Sequence, residues 1–228
     1  MELSYEIKRS AKRRTLTISV ERDCAVFVHA PQEVPVEVIR RAVEAKRQWI
    51  LGKIRHPQKY RELPHPPGKE LVSGESVLYL GQPYRIDVTS GSGEGKAQFS
   101  GRFLVSGNTK ARRRARLRSW FIDRAKEKIL PRVSIKAKQL GVTFAKAKIV
   151  EHRYRWGSCT VKNNVHFNWR LIKAPMFVIE YVIAHELAHL IEPNHTARFW
   201  NIIRADSPAV ERARKWLREN GEVLEQDL

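Results

Sequence analysis

Three histidines and one glutamate, all within residues 185–195, form the pattern in this sequence with the most definite chemistry. His185 and His189 flank Glu186 in the arrangement His-Glu-x-x-His, and His195 follows ten residues after His185. Side chains four residues apart on a helix leave the same face about 6 Å from each other, so both imidazoles can reach one metal ion. Glu186 is then placed to hold a water molecule at that ion and to accept its proton. The spacing therefore predicts a metal centre that activates water.

A catalytic zinc ion takes three protein ligands and keeps one position open, so a third ligand is needed. Glu192 would lie about 10.5 Å along a continued helix from His185, too far for one ion to bind both. Glu192 also precedes Pro193, which disfavours helical geometry and predicts a turn that brings His195 back to the ion. We therefore predict that His185, His189 and His195 bind Zn²⁺, while Mn, Co or Ni are alternatives for the same donors.

The motif needs a helix to position it, and the surrounding residues predict one. Residues 176–191 follow Pro175, and Val178, Val182 and Leu190 are among their many apolar side chains. A helix that is apolar on most sides is buried. We expect this helix to lie beneath an active-site cleft.

Two short strands are predicted before this helix. Residues 149–154 and 165–169 alternate in the manner of strands and are joined by a turn-rich stretch. An edge strand beside a cleft can pair with an extended peptide. Arg155, Ser158 and Asn168 are therefore predicted to contact the substrate or the charge that develops on the attacked oxygen.

A basic segment precedes these strands. Residues 109–141 hold twelve Lys or Arg against Asp123 and Glu127, an excess of +10 in a chain whose net charge is +19. Apolar residues at helical spacing predict a helix that Pro131 kinks or ends and that stops at Gly141. The charge fits either a solvated helix face or a surface that binds the phosphates of a nucleotide or nucleic acid.

The N-terminal half is predicted to be rich in β-structure, with one long helix. Alternating apolar residues predict one hairpin within residues 5–30, a second over 77–88 and a further strand within 99–105. A helical pattern begins after Pro35 and ends near Ile54.

Connections and the C-terminal end follow from glycine, proline and apolar spacing. The proline-rich stretch 61–68 predicts an extended linker, and the Ser/Gly-rich stretch 90–95 predicts a loop. Phe199 marks a packed helix after His195. A last helix is expected over 208–220, with Gly221 as its stop.

Composition excludes several classes of protein. A chain with 42% hydrophobic and 29% charged residues is neither disordered nor built for a membrane. The N-terminal residues lack the apolar run of a secretory signal, and the two cysteines, Cys24 and Cys159, give no sign of a disulfide framework. We expect a cytoplasmic protein.

The motifs around the histidines resemble those of the YgjP-like metallopeptidase family, which is related to the SprT and WLM zincins. The resemblance covers about residues 153–203. The segments that carry it are Arg155-Trp-Gly-Ser-Cys159, Asn168-Trp-Arg-Leu171, the HExxH segment 181–190, Asn194-His195 and Phe199-Trp200. It implies a minimal zincin fold, a metal bound by the three histidines, and Glu186 as catalytic base. One departure concerns Glu192, which stands where the HExxHxxGxxH zincins have glycine.

Together these features predict an α+β fold in two parts. Residues 1–107 form a β-rich region with one long helix, and residues 108–228 form a zincin-like helical domain with a small sheet.

The predicted function is that of a zinc metallopeptidase that cleaves peptides or proteins with Glu186 as general base. Two alternatives remain open. The first alternative is a metal-dependent nucleoside-triphosphate pyrophosphohydrolase activity, which the family resemblance also implies. The sequence has no Walker-type glycine loop to support this activity. The resemblance to SprT suggests a protease that docks on nucleic acid through the basic helix at 109–141.

Overall fold

The computed structural model describes residues 3–20, 24–54, 68–89, 96–152 and 155–228. The chain divides into two compact units, Met1–Pro64 and His65–Leu228. The linker predicted at 61–68 lies almost wholly outside the described residues, and the loop predicted at 90–95 lies wholly outside them. The division into 1–107 and 108–228 stays a prediction.

The first unit combines a three-stranded sheet with two helices. Its strands are β1 (Glu6–Ser10), β2 (Thr17–Val20) and β3 (Val26–Pro31), in the order β1-β3-β2. Strands β2 and β3 pair antiparallel, which confirms the predicted hairpin, while β1 pairs parallel to β3. Helices α1 (Val36–Ala45) and α2 (Arg47–Ile54) follow.

The single helix predicted between Pro35 and Ile54 is wrong in one respect, because it is interrupted at Lys46. The N–H of Lys46 is shared between the carbonyls of Ala42 and Val43, a geometry typical of a helix end. Each helix then buries its own side chains against the sheet. Helix α1 buries Ile39 and Val43, and α2 buries Ile50.

The second unit begins with a four-stranded sheet. Its strands are β4 (Ser76–Tyr79), β5 (Gln82–Thr89), β6 (Gln98–Phe99) and β7 (Phe103–Ser106), in the order β4-β5-β7-β6. The hairpin predicted over 77–88 is confirmed by β4 and β5. The strand predicted within 99–105 is instead two short antiparallel strands, because the chain turns at Gly101, where φ is +68°.

Helix α3 (Lys110–Gln139) is the basic helix, and it runs through Pro131 without ending there. The helix therefore does not end at Pro131, and the alternative expected there, a kink, stays a prediction. Pro131 is exposed, and Ile129, Val133 and Ala137 continue the buried face on both sides of it. Core packing thus outweighs the backbone hydrogen bond that proline removes. The helix stops before Gly141, where φ is +66°, as predicted.

A second small sheet lies next in the chain. Strands β8 (Lys146–Val150), β9 (Gly157–Cys159) and β10 (Asn164–Asn168) take the order β8-β10-β9, so β9 lies at the edge. The first of these strands was expected over 149–154, but pairing with β10 places it at Lys146–Val150. A 3-10 turn, Trp169–Lys173, leads from β10 towards the next helix.

Three helices complete the chain. Helix α4 (Met176–Ala188) carries the HExxH residues, and α5 (Ala197–Asp206) and α6 (Val210–Glu225) follow. The stop predicted at Gly221 is wrong, since this residue is buried inside α6 close to Trp156, 3.7 Å from the place a Cβ would occupy. A Cβ there would make only an ordinary contact with the ring, and α6 continues because Leu224 extends its buried face beyond Gly221.

One continuous core fills the second unit and confirms the predicted α+β class. It includes side chains from all of its parts, such as Ile86 from β5, Phe121 from α3, Phe167 from β10 and Leu187 from α4. Among the described residues, no helix has the combination of length and hydropathy that crossing a bilayer requires.

Candidate metal centre and active site

Helix α4 and the turn after it bring the three histidines together. His185 lies in the last turn of α4, and His189 is its C-terminal cap. The chain then reverses, with the N–H of Glu192 bound to the carbonyl of Ala188 at 2.9 Å. This turn returns His195 to the helix.

The ligand atoms of the three histidines form a compact group. One nitrogen each of His185, His189 and His195 lies within 4.8 Å of the others. The Nε2 atoms of His185 and His195 are 3.0 Å apart. Three ring nitrogens at this spacing surround a position where one ion can contact all of them.

The orientation of His189 is fixed by the turn. Its Nδ1 lies 3.3 Å from the carbonyl oxygen of Glu192. A carbonyl only accepts, so Nδ1 carries the proton and Nε2 keeps its lone pair. A backbone carbonyl bound to the second nitrogen is a common support for a metal-ligating histidine.

Two aromatic side chains of helix α5 pack against the histidines. The buried ring of Phe199 has its centroid 5.0, 4.6 and 4.7 Å from those of His185, His189 and His195. Trp200 stacks on His195 with an interplanar angle of 24°. Phenylalanine has no hydrogen-bond donor, so Phe199 fixes the ring positions without competing for the nitrogens' lone pairs.

Burial keeps the three imidazoles neutral at neutral pH. It lowers the pKa of His185 to about 3, with the neighbouring histidines adding to the effect. Burial also lowers the pKa of His189 and of His195. Neutral imidazole is the form that binds a metal.

The donor set therefore fits a divalent transition metal. Nδ1 of His185 is buried without a hydrogen-bond partner among the described residues, and its Nε2 faces another imidazole nitrogen. Two neutral nitrogens in contact can share at most one proton, whereas a cation between the rings would bind all the free lone pairs. Three imidazoles with an open side suit zinc.

Glu186 lies beside this group and against the edge strand. Its side chain is only 6% exposed. A Cβ at Gly157 of β9 would fall 2.5 Å from Cγ of Glu186 and 2.6 Å from its Oε1. Burial raises the pKa of Glu186 to about 8, and the charge of Arg155 acts in the opposite direction.

Gly157 is a site residue that the sequence analysis missed, because it fell in a stretch predicted as turns. The structure places it in a strand, where its missing side chain makes room for the carboxylate of Glu186. Glycine inside a strand often marks such a close approach, which is the signal that could have found it.

The three predicted substrate-binding residues lie around β9 in different environments. Asn168 is buried, and its Nδ2 donates to the carbonyls of His152 at 2.8 Å and Arg155 at 3.0 Å. Ser158 has its Oγ 3.4 Å from Nε2 of His152. Arg155 is exposed. Asn168 thus holds the backbone at His152 and at Arg155, and a role in substrate binding stays a prediction for all three.

Many cations of the basic helix bind partners within the protein. These contacts are Lys110 with Glu70, Arg113 with the Gly107 carbonyl, Arg114 with the Leu228 carbonyl, Arg116 with Ser106, Arg118 with Glu151, Arg132 with Glu180 and Lys136 with Asp206. They tie α3 to its own unit. Nucleic-acid or nucleotide binding by residues 109–141 stays a prediction that none of these contacts supports.

The fold and the site define a peptidase-like hydrolase of the metallopeptidase class. The sequence profile described as YgjP-like, metallopeptidase domain, matches residues 14–220. The chain therefore belongs to the YgjP-like family.

Two solved structures are similar to part of the chain. The metallopeptidase zymogen abylysin of Pyrococcus abyssi is 18% identical with a TM-score of 0.38, over 44% of this chain and 98% of its own. The zymogen jannalysin of Methanocaldococcus jannaschii is 18% identical with a TM-score of 0.35, over 40% of this chain and 95% of its own. No curated protein sequence matches this chain significantly.

Proposed function

We propose that this protein is a zinc-dependent metallopeptidase whose metal ligands are His185, His189 and His195. The observation that carries the proposal is the convergence of three neutral imidazoles beside one buried carboxylate. A divalent ion bound by these side chains supplies Lewis acidity, which polarises a carbonyl and lowers the pKa of water. Residues of the chain transfer the protons and bind the substrate.

Glu186 acts as general base and then as general acid. The pKa of this buried carboxyl is lowered beside a divalent cation, so that its ionised form can take the proton of the attacking water and deliver it to the nitrogen of the leaving amine. Contact with Gly157 keeps the side chain in place, and burial limits the access of bulk water to it. No covalent intermediate with the chain is needed.

The substrate peptide binds along the edge of β9. Among the described strands, β9 pairs only with β10, so no strand pairs with its other edge, where we place the added strand. Gly157 places that edge next to Glu186. An extended peptide paired there presents its carbonyl to the base, with Arg155 and Ser158 at either side of Gly157 as further contacts and Asn168 supporting the loop.

The test is Glu186→Gln, assayed on denatured protein and on peptides with zinc added. We expect kcat to fall by about 10²–10⁴-fold, the usual contribution of a general base, with one zinc ion still bound. Glu180→Gln is the matched control, because it makes the same change in α4 at a residue that pairs with Arg132. An active Glu186→Gln protein, full activity without metal, or a zinc-loaded wild type that cleaves nothing would contradict the proposal.

The same preparations test the alternative predictions. A nucleoside triphosphate in the panel reports pyrophosphate release, and a DNA duplex reports nucleic-acid binding. We also propose a cytoplasmic location, because a sequence with two cysteines gives no sign of a disulfide framework.

A further inference from the structure

An arginine of α6 lies one aromatic ring away from the histidine group. The guanidinium of Arg214 is 4.4 Å from the centroid of Trp200. The centroid of Trp200 is in turn 5.8 Å from that of His195 and 6.2 Å from that of His185. Stacking on Trp200 therefore fixes a positive charge beside two of the proposed metal ligands.

A second arginine lies beside the proposed base. Arg155 precedes by two residues the glycine that contacts Glu186, and Asn168 binds its backbone carbonyl at 3.0 Å. Its side chain is exposed. Arg155 is thus open to solvent and close in the chain to the contact between Gly157 and Glu186.

Glu211, the acidic partner of Arg214, leaves most of the N–H donors of that arginine available. Glu211 lies 3.1 Å from NH1 of Arg214, but it also pairs with Arg204 at 3.5 Å and is 65% exposed. An exposed pair of this kind is weak. A guanidinium has five N–H donors, and the Arg214 side chain is 42% exposed. An anion can thus reach Arg214 from solvent.

We propose that the cleft selects peptides that carry a carboxylate close to the scissile bond, and that Arg214 and Arg155 bind this carboxylate. The proposal rests on the peptidase function proposed above and names its substrate class. Arginine binds carboxylates with two parallel hydrogen bonds, which gives direction as well as charge attraction. The carboxylate is either an acidic side chain or the free C-terminus of the peptide.

The first experiment measures cleavage by the zinc-loaded enzyme. Peptides of one parent sequence carry Glu, Gln or Lys in turn at each position around the scissile bond, and each is made with a free and with an amidated C-terminus. We expect kcat/KM for the carboxylate peptide to exceed that for its Gln or amide match by about tenfold, mainly through KM. Arg214→Gln and Arg155→Gln should each reduce this ratio.

Arg204→Gln is the matched control. Like Arg214, Arg204 is an exposed arginine that pairs with Glu211. Arg204 lies in α5, however, and it is Arg214 that stacks on Trp200. We expect this variant to keep the wild-type ratio. A ratio near one for wild type, or equal loss in the Arg204 and Arg214 variants, would overturn the proposal.

A binding experiment separates this proposal from the peptidase function. The same peptides are titrated into zinc-loaded Glu186→Gln protein by calorimetry, alone and combined with Arg214→Gln or Arg204→Gln. The anion site is supported if carboxylate peptides bind more tightly than their matches and if Arg214→Gln, but not Arg204→Gln, abolishes this preference. This holds even if the wild type cleaves none of the peptides. Cleavage without any such preference would leave the peptidase standing and remove the anion site. Equal or undetectable binding of the carboxylate peptide and its Gln or amide match also overturns the proposed anion site.

Discussion

Gly157 and Glu186 touch where the edge strand β9 passes helix α4. Because a Cβ at Gly157 would lie 2.5 Å from Cγ of Glu186, Gly157→Ala must displace the proposed base. A displacement of about 1 Å is enough to cost on the order of 10²-fold in rate. We expect kcat/KM on a peptide to fall by about this factor while zinc binding stays intact, since the three histidines are untouched. Kinetics and metal analysis of the same sample check this.

The control for this substitution is Gly52→Ala, at a position where an added Cβ meets nothing within 4 Å. It should change neither activity nor zinc content. If the Gly157→Ala enzyme cleaves as fast as wild type, the contact with Glu186 does not hold the base in place.

Lys173 is a buried lysine that is not among the candidate site residues, and it makes stability depend on pH. Its Nζ donates to the carbonyls of Leu224 and Gln226, both at 3.2 Å. Burial lowers the pKa of Lys173 from 10.5 to about 7. Between these values the unfolded chain holds a proton that the folded protein has lost, so the free energy of unfolding rises with pH, by at most about 1.4 kcal/mol per pH unit.

Urea unfolding of wild type and Lys173→Met from pH 7 to about pH 10 isolates this effect, since the other groups titrate in both proteins. We expect the wild type to gain stability relative to the variant as the pH increases. Parallel curves would show that the buried ammonium keeps its proton in the folded state.

At the scale of elements, the start of α5 couples helix capping to the metal centre. Oγ1 of Thr196 accepts the N–H of Phe199 at 3.3 Å, so one hydroxyl fixes the turn after His195 and the ring beneath the three histidines. Thr196→Ala should cost about 1 kcal/mol of stability. It should also weaken zinc binding by about tenfold, as the loss of a supporting contact does.

Thr109→Ala provides the comparison, because Thr109 caps α3 in the same way through the N–H of Arg112 at 3.3 Å. The loss of stability should be similar, with no change in zinc affinity measured by chelator competition. Equal zinc affinities in the two variants would show that the cap of α5 does not position His195.

The elements that could be predicted from the sequence depend on local patterns, and the errors arise where distant packing overrides them. The proximity of His185 and His189 follows from helix geometry alone, and the turn at Pro193 returns His195 as expected. Pro131 and Gly221 are strong local signals for helix ends, yet both lie inside helices that the core holds in place. The contact of Gly157 with Glu186 joins a strand to a helix, so spacing along the chain could not indicate it.

At the scale of the whole molecule, the four-stranded sheet and the metal-binding helices share one core. Phe103 of β7 lies 4.8 Å from Trp120 and 5.5 Å from Phe121 of α3, between ring centroids. Val77 and Ile86 belong to the same buried cluster. The core therefore extends across residue 107, the boundary predicted where Gly107 and Asn108 mark the change from strand to helix, while contacts divide the chain after Pro64.

These two boundaries predict different behaviour of fragments. A fragment of residues 65–228 keeps the whole cluster and should unfold cooperatively in urea and bind one zinc ion. A fragment of residues 108–228 loses the sheet that covers Phe121, and each large apolar side chain left uncovered costs about 1.5–3 kcal/mol, a large part of the stability of a single domain. We expect it to aggregate or to unfold without cooperativity. Cooperative unfolding and full zinc binding by residues 108–228 would instead establish the boundary at 107, and would mean that the shared core adds little to the stability of the metal centre.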